Sequence, residues 1–283
     1  MSQQPTAPIG VFDSGYGGLT ILKELVKTLP EYDYLYLGDN ARAPYGTRSY
    51  DTVYKFTLES VRYLFASGCQ LVILACNTAS AKALRTIQQQ DLASIDPSRR
   101  VLGVIRPSAE AIGGLTKTQS VGVLGTTGTV KSESYIIEIK KLFPQIHVFQ
   151  QDCPMWVPLV ENGEYESAGA DYFVQKNIEQ LFNQNASIDT IILGCTHYPL
   201  LMRKIRQFLP DGVSVLSQGE IVAKSLAEYL QRHTAIAKKC SKSGLRHFLT
   251  TDNPDIFDRH AAVFFGEAVK SVQVSVSPAL LSL

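Results

Sequence analysis

Short apolar runs and stretches of helical spacing alternate along this chain almost from its start. Residues 9–12 form an apolar strand that runs into a glycine-rich turn at 13–18. Leu19, Leu22, Leu25, Val26 and Leu29 then recur at helical spacing, so the chain opens as a strand–turn–helix unit. A second strand at 34–37 ends at Gly38, Asp39 and Asn40. Val53, Phe56, Val61, Leu64 and Phe65 predict an amphipathic helix over 52–66, with Gly68 as its stop. An apolar run at 71–75 delivers Cys76 and leads into a helix over 78–90. A polar, proline-bearing linker follows at 91–100.

The rest of the chain keeps the same rhythm. Strands are predicted at 101–105, 121–124, 147–149, 190–194, 213–216 and 247–250. Helices are predicted over 108–115, 132–142, 171–183, 200–208, 221–232 and 256–265, and residues 153–161 read as a proline-broken apolar loop. Short strands alternating with helices predict an α/β fold with mostly parallel sheets flanked by helices. In such sheets ligands sit beyond the carboxyl ends of the strands. Cys76 and Cys195 both stand at ends of that kind.

The pattern also repeats within the chain. The run at 9–15 aligns with 121–127, which sets Ser14 against Thr126, and 72–77 aligns with 191–196, which sets Cys76 against Cys195. The run at 101–104 echoes 213–216 in the same order. Two similar lobes, related by a pseudo-two-fold axis and facing a shared cleft, would bring the two thiols in from opposite sides. One base on each face of a tetrahedral carbon removes a proton from one side and returns one from the other. The outcome is inversion, as in a racemase or epimerase.

Composition narrows the setting. The 283 residues carry 27 basic and 26 acidic side chains, a net charge of +1 that gives no basic stripe for nucleic acid. No apolar run approaches the roughly 18 residues of a membrane span, and the polar start lacks the layout of a signal peptide. A cytosolic setting is expected. The odd number and wide scatter of the five cysteines do not make a disulfide framework, and the absence of C-x-x-C argues against a structural zinc site.

The chemistry gathers at the strand ends. A free thiol has a pKa near 8.5, and backbone amides at a helix N-terminus lower it. A two-base mechanism needs one sulfur as thiolate and the other as thiol. Asp13 either accepts from a substrate ammonium, orients a proton carrier or caps a turn. His197, two residues from Cys195, either serves the thiol or is structural. Glu161 ends the apolar stretch 156–160, where a carboxylate pKa can rise. Ser14, Asn77, Thr78, Thr126, Thr129 and Thr196 offer neutral hydroxyls and amides to a carboxylate. Neither glycine-rich turn has the G-x-x-x-x-G-K-[ST] pattern, and Asp13 stands where a phosphate would be repelled.

Several segments together resemble the glutamate racemases, members of the cofactor-independent aspartate/glutamate racemase family. They are Phe-Asp-Ser-Gly-Tyr-Gly-Gly at 12–18, Pro-Tyr-Gly at 44–46, Ala-Cys-Asn-Thr-Ala at 75–79, Pro-Leu-Val-Glu at 158–161 and Gly-Cys-Thr-His at 194–197. The resemblance runs from Ile9 to about Gly266. It implies two α/β lobes around an interdomain active site, the first of residues 1–98 plus 211–283 and the second of 99–210. It implies Cys76 and Cys195 as the acid/base thiols, Cys76 taking the proton from D-glutamate and Cys195 from L-glutamate. Asp13, His197 and Glu161 are implied as their supports. Ser14, Tyr45, Gly46, Asn77, Thr78, Thr126, Thr129 and Thr196 are implied as substrate-binding residues, alongside Asp13 and His197. No cofactor or metal is expected, and glutamate is the expected small-molecule partner. Racemisation of aspartate or another amino acid, and ligand binding without catalysis, are the alternatives. The apolar tail at 272–283 either covers a sheet edge, docks on its own core or packs in a homodimer interface.

Overall fold

A computed structural model describes residues 7–276 of the chain. Its strands are β1 (Ile9–Asp13), β2 (Tyr34–Gly38), β3 (Leu71–Leu74), β4 (Arg100–Gly103), β5 (Ser120–Gly125), β6 (His147–Asp152), β7 (Thr190–Gly194), β8 (Ser214–Leu216), β9 (Arg246–Thr250) and β10 (Ser271–Gln273). They form a six-stranded sheet, in the order β10-β9-β2-β1-β3-β4, and a four-stranded sheet, in the order β6-β5-β7-β8. The strand pairs are parallel. The central strands β1, β3, β5 and β7 are buried along their whole length, which is why they read as unbroken apolar runs.

The repeat seen in the sequence is carried by the topology. The order β2-β1-β3-β4 matches β6-β5-β7-β8 strand for strand, with the Cys76 strand answering the Cys195 strand. β9 and β10 extend the first sheet beyond β2. One hydrophobic cluster joins the two sheets, running from Leu22 and Leu25 of the helix Leu19–Thr28 through Val222 and Leu226 of the helix Gln218–Arg232 to Leu193 and Tyr198.

Several predicted boundaries move. A division at 99 places β4 with the second lobe, but β4 hydrogen-bonds β3 in the six-stranded sheet. A division at 211 places β8 with the first lobe, but β8 pairs with β7. Apolar edge strands look alike in sequence whichever sheet they join. The helix expected over 78–90 is α-helical over Asn77–Lys82 and Leu84–Thr86, broken at Ala83, and then gives way to a wider turn at Ile87–Asp91. The expected loop at 153–161 contains the helix Trp156–Glu161. Pro158 falls in its first turn, where the missing N–H has no intrahelical partner to lose. The tail begins as the edge strand β10, and residues 277–283 lie outside the described residues.

Candidate active site

Strand register brings the site together. Phe12 pairs with Leu74, and Ala75 N donates to Phe12 O at 2.8 Å, so Asp13 and Ser14 emerge beside Cys76. In the other sheet Gly125 pairs with Gly194, so Thr126 emerges beside Cys195. The two turns meet across a close seam. A Cβ on Gly17 would collide with Thr196 Oγ1 and the His197 ring, and one on Gly18 would lie 2.6 Å from Asp13 Cβ. Gly17 therefore serves close approach between the two sheets, and Gly18 close packing of the turn on its own sheet, against Asp13 and Ala75.

Cys76 caps the helix Asn77–Lys82, and its Sγ accepts from Ala79 N at 3.4 Å. The Ser14 hydroxyl lies 3.5 Å from the same sulfur. The side chain is 6% exposed. Burial pushes the thiol up to about 12, and the carboxylate of Asp13 adds to the rise. Asp13 is itself buried, which raises its pKa, while His197 and the amides of Gly15 and Gly18 pull it back. Its Oδ2 accepts from Gly15 N at 2.9 Å, and its Oδ1 has no hydrogen-bond partner among the described residues.

Cys195 has different company. Its Sγ lies 3.8 Å from His197 Nδ1, and His197 Nε2 lies 3.0 Å from Glu161 Oε1. Burial disfavours charge on this imidazole, but its hydrogen bonds to Cys195 and Glu161 outweigh burial and raise its pKa to about 10. At neutral pH both ring nitrogens therefore donate, one to sulfur and one to carboxylate. Glu161 ends the helix Trp156–Glu161, which is anchored by Trp156. That indole is fully buried, meets Tyr198 edge-on at 4.7 Å and donates to Phe173 O at 3.3 Å.

Both thiols line one cavity of about 130 Å³. Pockets for drug-sized ligands hold roughly 300–1,000 Å³, so this one selects a small molecule. All the candidate residues except Thr129 line it. Thr129 stands behind Thr126, donating its backbone N–H to Thr126 Oγ1 at 3.2 Å. Two bonds close the cavity between the sheets: Thr78 Oγ1 to Thr126 Oγ1 at 3.0 Å, and Gly128 N to Gly46 O at 2.8 Å. Tyr45 contributes a wall, because its hydroxyl is turned to the Asp39 carboxylate, which also takes Arg42 Nε at 2.7 Å. Asn77 lines the cavity, but its amide is bonded to Gln218 and Tyr135 behind it.

The sequence reading missed Cys153, Val157 and Pro158, which make an apolar wall opposite the hydroxyls. The run at 153–161 carried that signal in its apolar content. Among the described residues no group of three or more His, Cys, Asp or Glu side chains is placed to hold a metal ion. No helix among them is long and apolar enough to cross a membrane.

An α/β protein with two equivalent strand ends, each presenting a buried thiol to one small cavity, has the architecture of a racemase. The chain belongs to the Asp/Glu/hydantoin racemase family, whose model matches residues 9–226. Its relatives include a glutamate racemase of Geobacter metallireducens, 40% identical over 96% of this chain and 98% of that one. The structure of a glutamate racemase isoform from Bacillus anthracis superposes with a TM-score of 0.87 at 35% identity, covering 96% of this chain and 98% of that one. A glutamate racemase from Francisella tularensis, solved in complex with D-glutamate, superposes with a TM-score of 0.85 at 32% identity, covering 97% and 99%.

Proposed function

We propose that this protein interconverts L- and D-glutamate by proton transfer at Cα between Cys76 and Cys195. The observation that carries the reading is the pair of thiols at equivalent strand ends lining one small cavity. Each sheet with its flanking helices acts as one lobe, the first made discontinuous by the return of β9 and β10. Full-length relatives called glutamate racemases support glutamate as the substrate.

In the direction from L-glutamate, Cys195 as thiolate takes the Cα proton, and the His197 imidazolium is its counter-charge. Cys76, held as a thiol by burial, gives its proton to the opposite face. The carbanion exists only between the two transfers. Hydroxyls of Ser14, Thr78, Thr126 and Thr196 face the cavity and hold the substrate carboxylates without desolvating a fixed charge. After the turnover Cys76 is the thiolate and Cys195 the thiol, the arrangement that works on D-glutamate. Asp13, with a raised pKa and a free oxygen beside Cys76, is the group that orients and holds that proton. The reaction requires no cofactor, because the two sulfurs account for both protons.

The D-glutamate so made would supply bacterial peptidoglycan synthesis, and the setting is cytoplasmic. Assembly as a homodimer through the tail is a secondary proposal. Sedimentation of the full chain against one ending at Val276 tests it, and a monomer in both would remove it.

The primary test is proton NMR of L-glutamate with the protein in deuterated water. Loss of the Cα signal with appearance of D-glutamate is expected. Binding without Cα exchange would instead mark a two-lobed binding protein. A panel of amino acids followed by chiral chromatography reads the substrate side chain, and turnover of aspartate over glutamate would overturn the choice of glutamate.

A further inference from the structure

Gln218 opens the helix Gln218–Arg232 and is buried, yet it has no part in the chemistry above. Its Oε1 accepts from Asn77 Nδ2 at 2.6 Å. Its Nε2 faces three acceptors, Tyr135 OH at 2.8 Å, Ser108 Oγ at 2.8 Å and Val104 O at 3.2 Å. The Tyr135 hydroxyl donates in turn to Asn77 Oδ1 at 2.7 Å, which closes a ring of three side chains.

One backbone atom fixes the sense of that ring. The Val104 carbonyl can only accept, and the Ser108 hydroxyl already donates to it at 2.9 Å. Gln218 must therefore turn its nitrogen toward Val104 and its oxygen toward Asn77. Asn77 has to answer with nitrogen, which leaves its oxygen for the Tyr135 proton. A ring of this kind has a single satisfied orientation, so it locks each member.

The placement gives the lock its reach. The chain passes between the sheets twice, once from β4 to β5 and once from β8 to β9. Val104 and Ser108 lie on the first crossing and Gln218 on the second, while Tyr135 belongs to the helix Ser134–Leu142 beside the four-stranded sheet. Asn77 follows Cys76 directly and begins the helix that Cys76 caps. A single amide thus ties both crossings to the turn that aims one of the two sulfurs.

We propose that Gln218 is a positioning residue for Cys76, acting through Asn77 and Tyr135: the ring hydrogen-bonds the residue that follows Cys76, whereas beside Cys195 it packs, with Tyr135 against Gly194. The ring is uncharged, so it sets the direction of the sulfur without adding a proton to the site. This rests on the reading of Cys76 and Cys195 as the two bases.

The test compares the full chain with its Gln218→Leu and Tyr135→Phe variants on L- and D-glutamate carrying protium or deuterium at Cα. The enantiomers are isoenergetic, so kcat/KM must stay equal in the two directions for every variant. A defect confined to one sulfur shows instead in the isotope effects. Misplacing Cys76 makes transfer at that sulfur more rate-limiting. The expected result is a fall in kcat of about tenfold or more, with the deuterium effect rising on D-glutamate and falling on L-glutamate. A merely structural role would lower activity and leave the ratio of the two isotope effects at its wild-type value, which would overturn the proposal. Unchanged kcat would overturn it too. Tyr135→Phe keeps the packing and removes one Asn77 partner, so it carries the test alone if Gln218→Leu does not fold. Failure of the wild-type chain to racemise would sink the two-thiol reading beneath. A racemising wild type with symmetric variants would sink the role of Gln218 alone.

Discussion

Cys76 and Cys195 end equivalent strands, but their surroundings have opposite electrical character. Cys76 is buried beside the Asp13 carboxylate, and both conditions favour a neutral thiol over the opposing pull of the Ser14 hydroxyl and the Ala79 amide. Cys195 stands beside an imidazole whose pKa is raised by its hydrogen bonds to Cys195 and to Glu161. The difference arises two residues past each sulfur, where the first copy has Thr78 and the second has His197. Matching strand ends place the two thiols at equivalent positions, and the residue two places on, together with the carboxylate at the end of the helix Trp156–Glu161, makes their surroundings differ.

Removing either sulfur should have the largest effect. Cys76→Ala and Cys195→Ala should each lower racemisation by about 10³-fold or more in both directions, followed by circular dichroism of glutamate. Full turnover in either variant would end the two-base account.

His197→Asn should come next, with kcat reduced roughly 10²-fold. The His197 pKa also predicts an alkaline limb, with wild-type activity falling as pH rises through about 10 and the variant lacking that fall. Stability follows the same group. Its folded value lies above the reference value of 6.5, so its contribution is fully present below that pH and is lost as pH rises through about 10. Thermal melts of wild type and variant across that range should converge at the alkaline end.

Gly17→Ala tests the seam. The added methyl has to displace Thr196 or His197, so it should cost about 1–3 kcal/mol of stability and lower kcat by roughly tenfold. A silent substitution would show that the turns have room to part. Ser14→Ala should be mildest, a fall of about three- to fivefold for one neutral hydrogen bond to sulfur. It should leave the alkaline limb in place, since that limb belongs to His197 beside the other thiol.

How far these features can be read from sequence follows from where their causes lie. Strands β3 and β7 are buried in parallel sheets, so they read as continuous apolar runs, and a cysteine closing each is visible at once. The pairing of Ser14 with Cys76 depends on strand register, which only the structure displays. The limits of the lobes were hidden too, because β4 and β8 carry the same edge-strand pattern whichever neighbour they choose. Tyr45 was expected to touch substrate, yet its hydroxyl is held by Asp39, a choice made by packing around the turn. The ring behind Asn77 was out of reach as well. Gln218 is 141 residues away and Tyr135 is 58, and an isolated glutamine or tyrosine in a helical pattern gives no sign of burial.

The bonds from Thr78 to Thr126 and from Gly128 to Gly46 have a consequence for the timing of proton supply. They stitch the two sheets together at the cavity wall, and both sulfurs sheltered there are 6% exposed, so exchange of the thiol protons with solvent is expected to run slower than at an exposed cysteine.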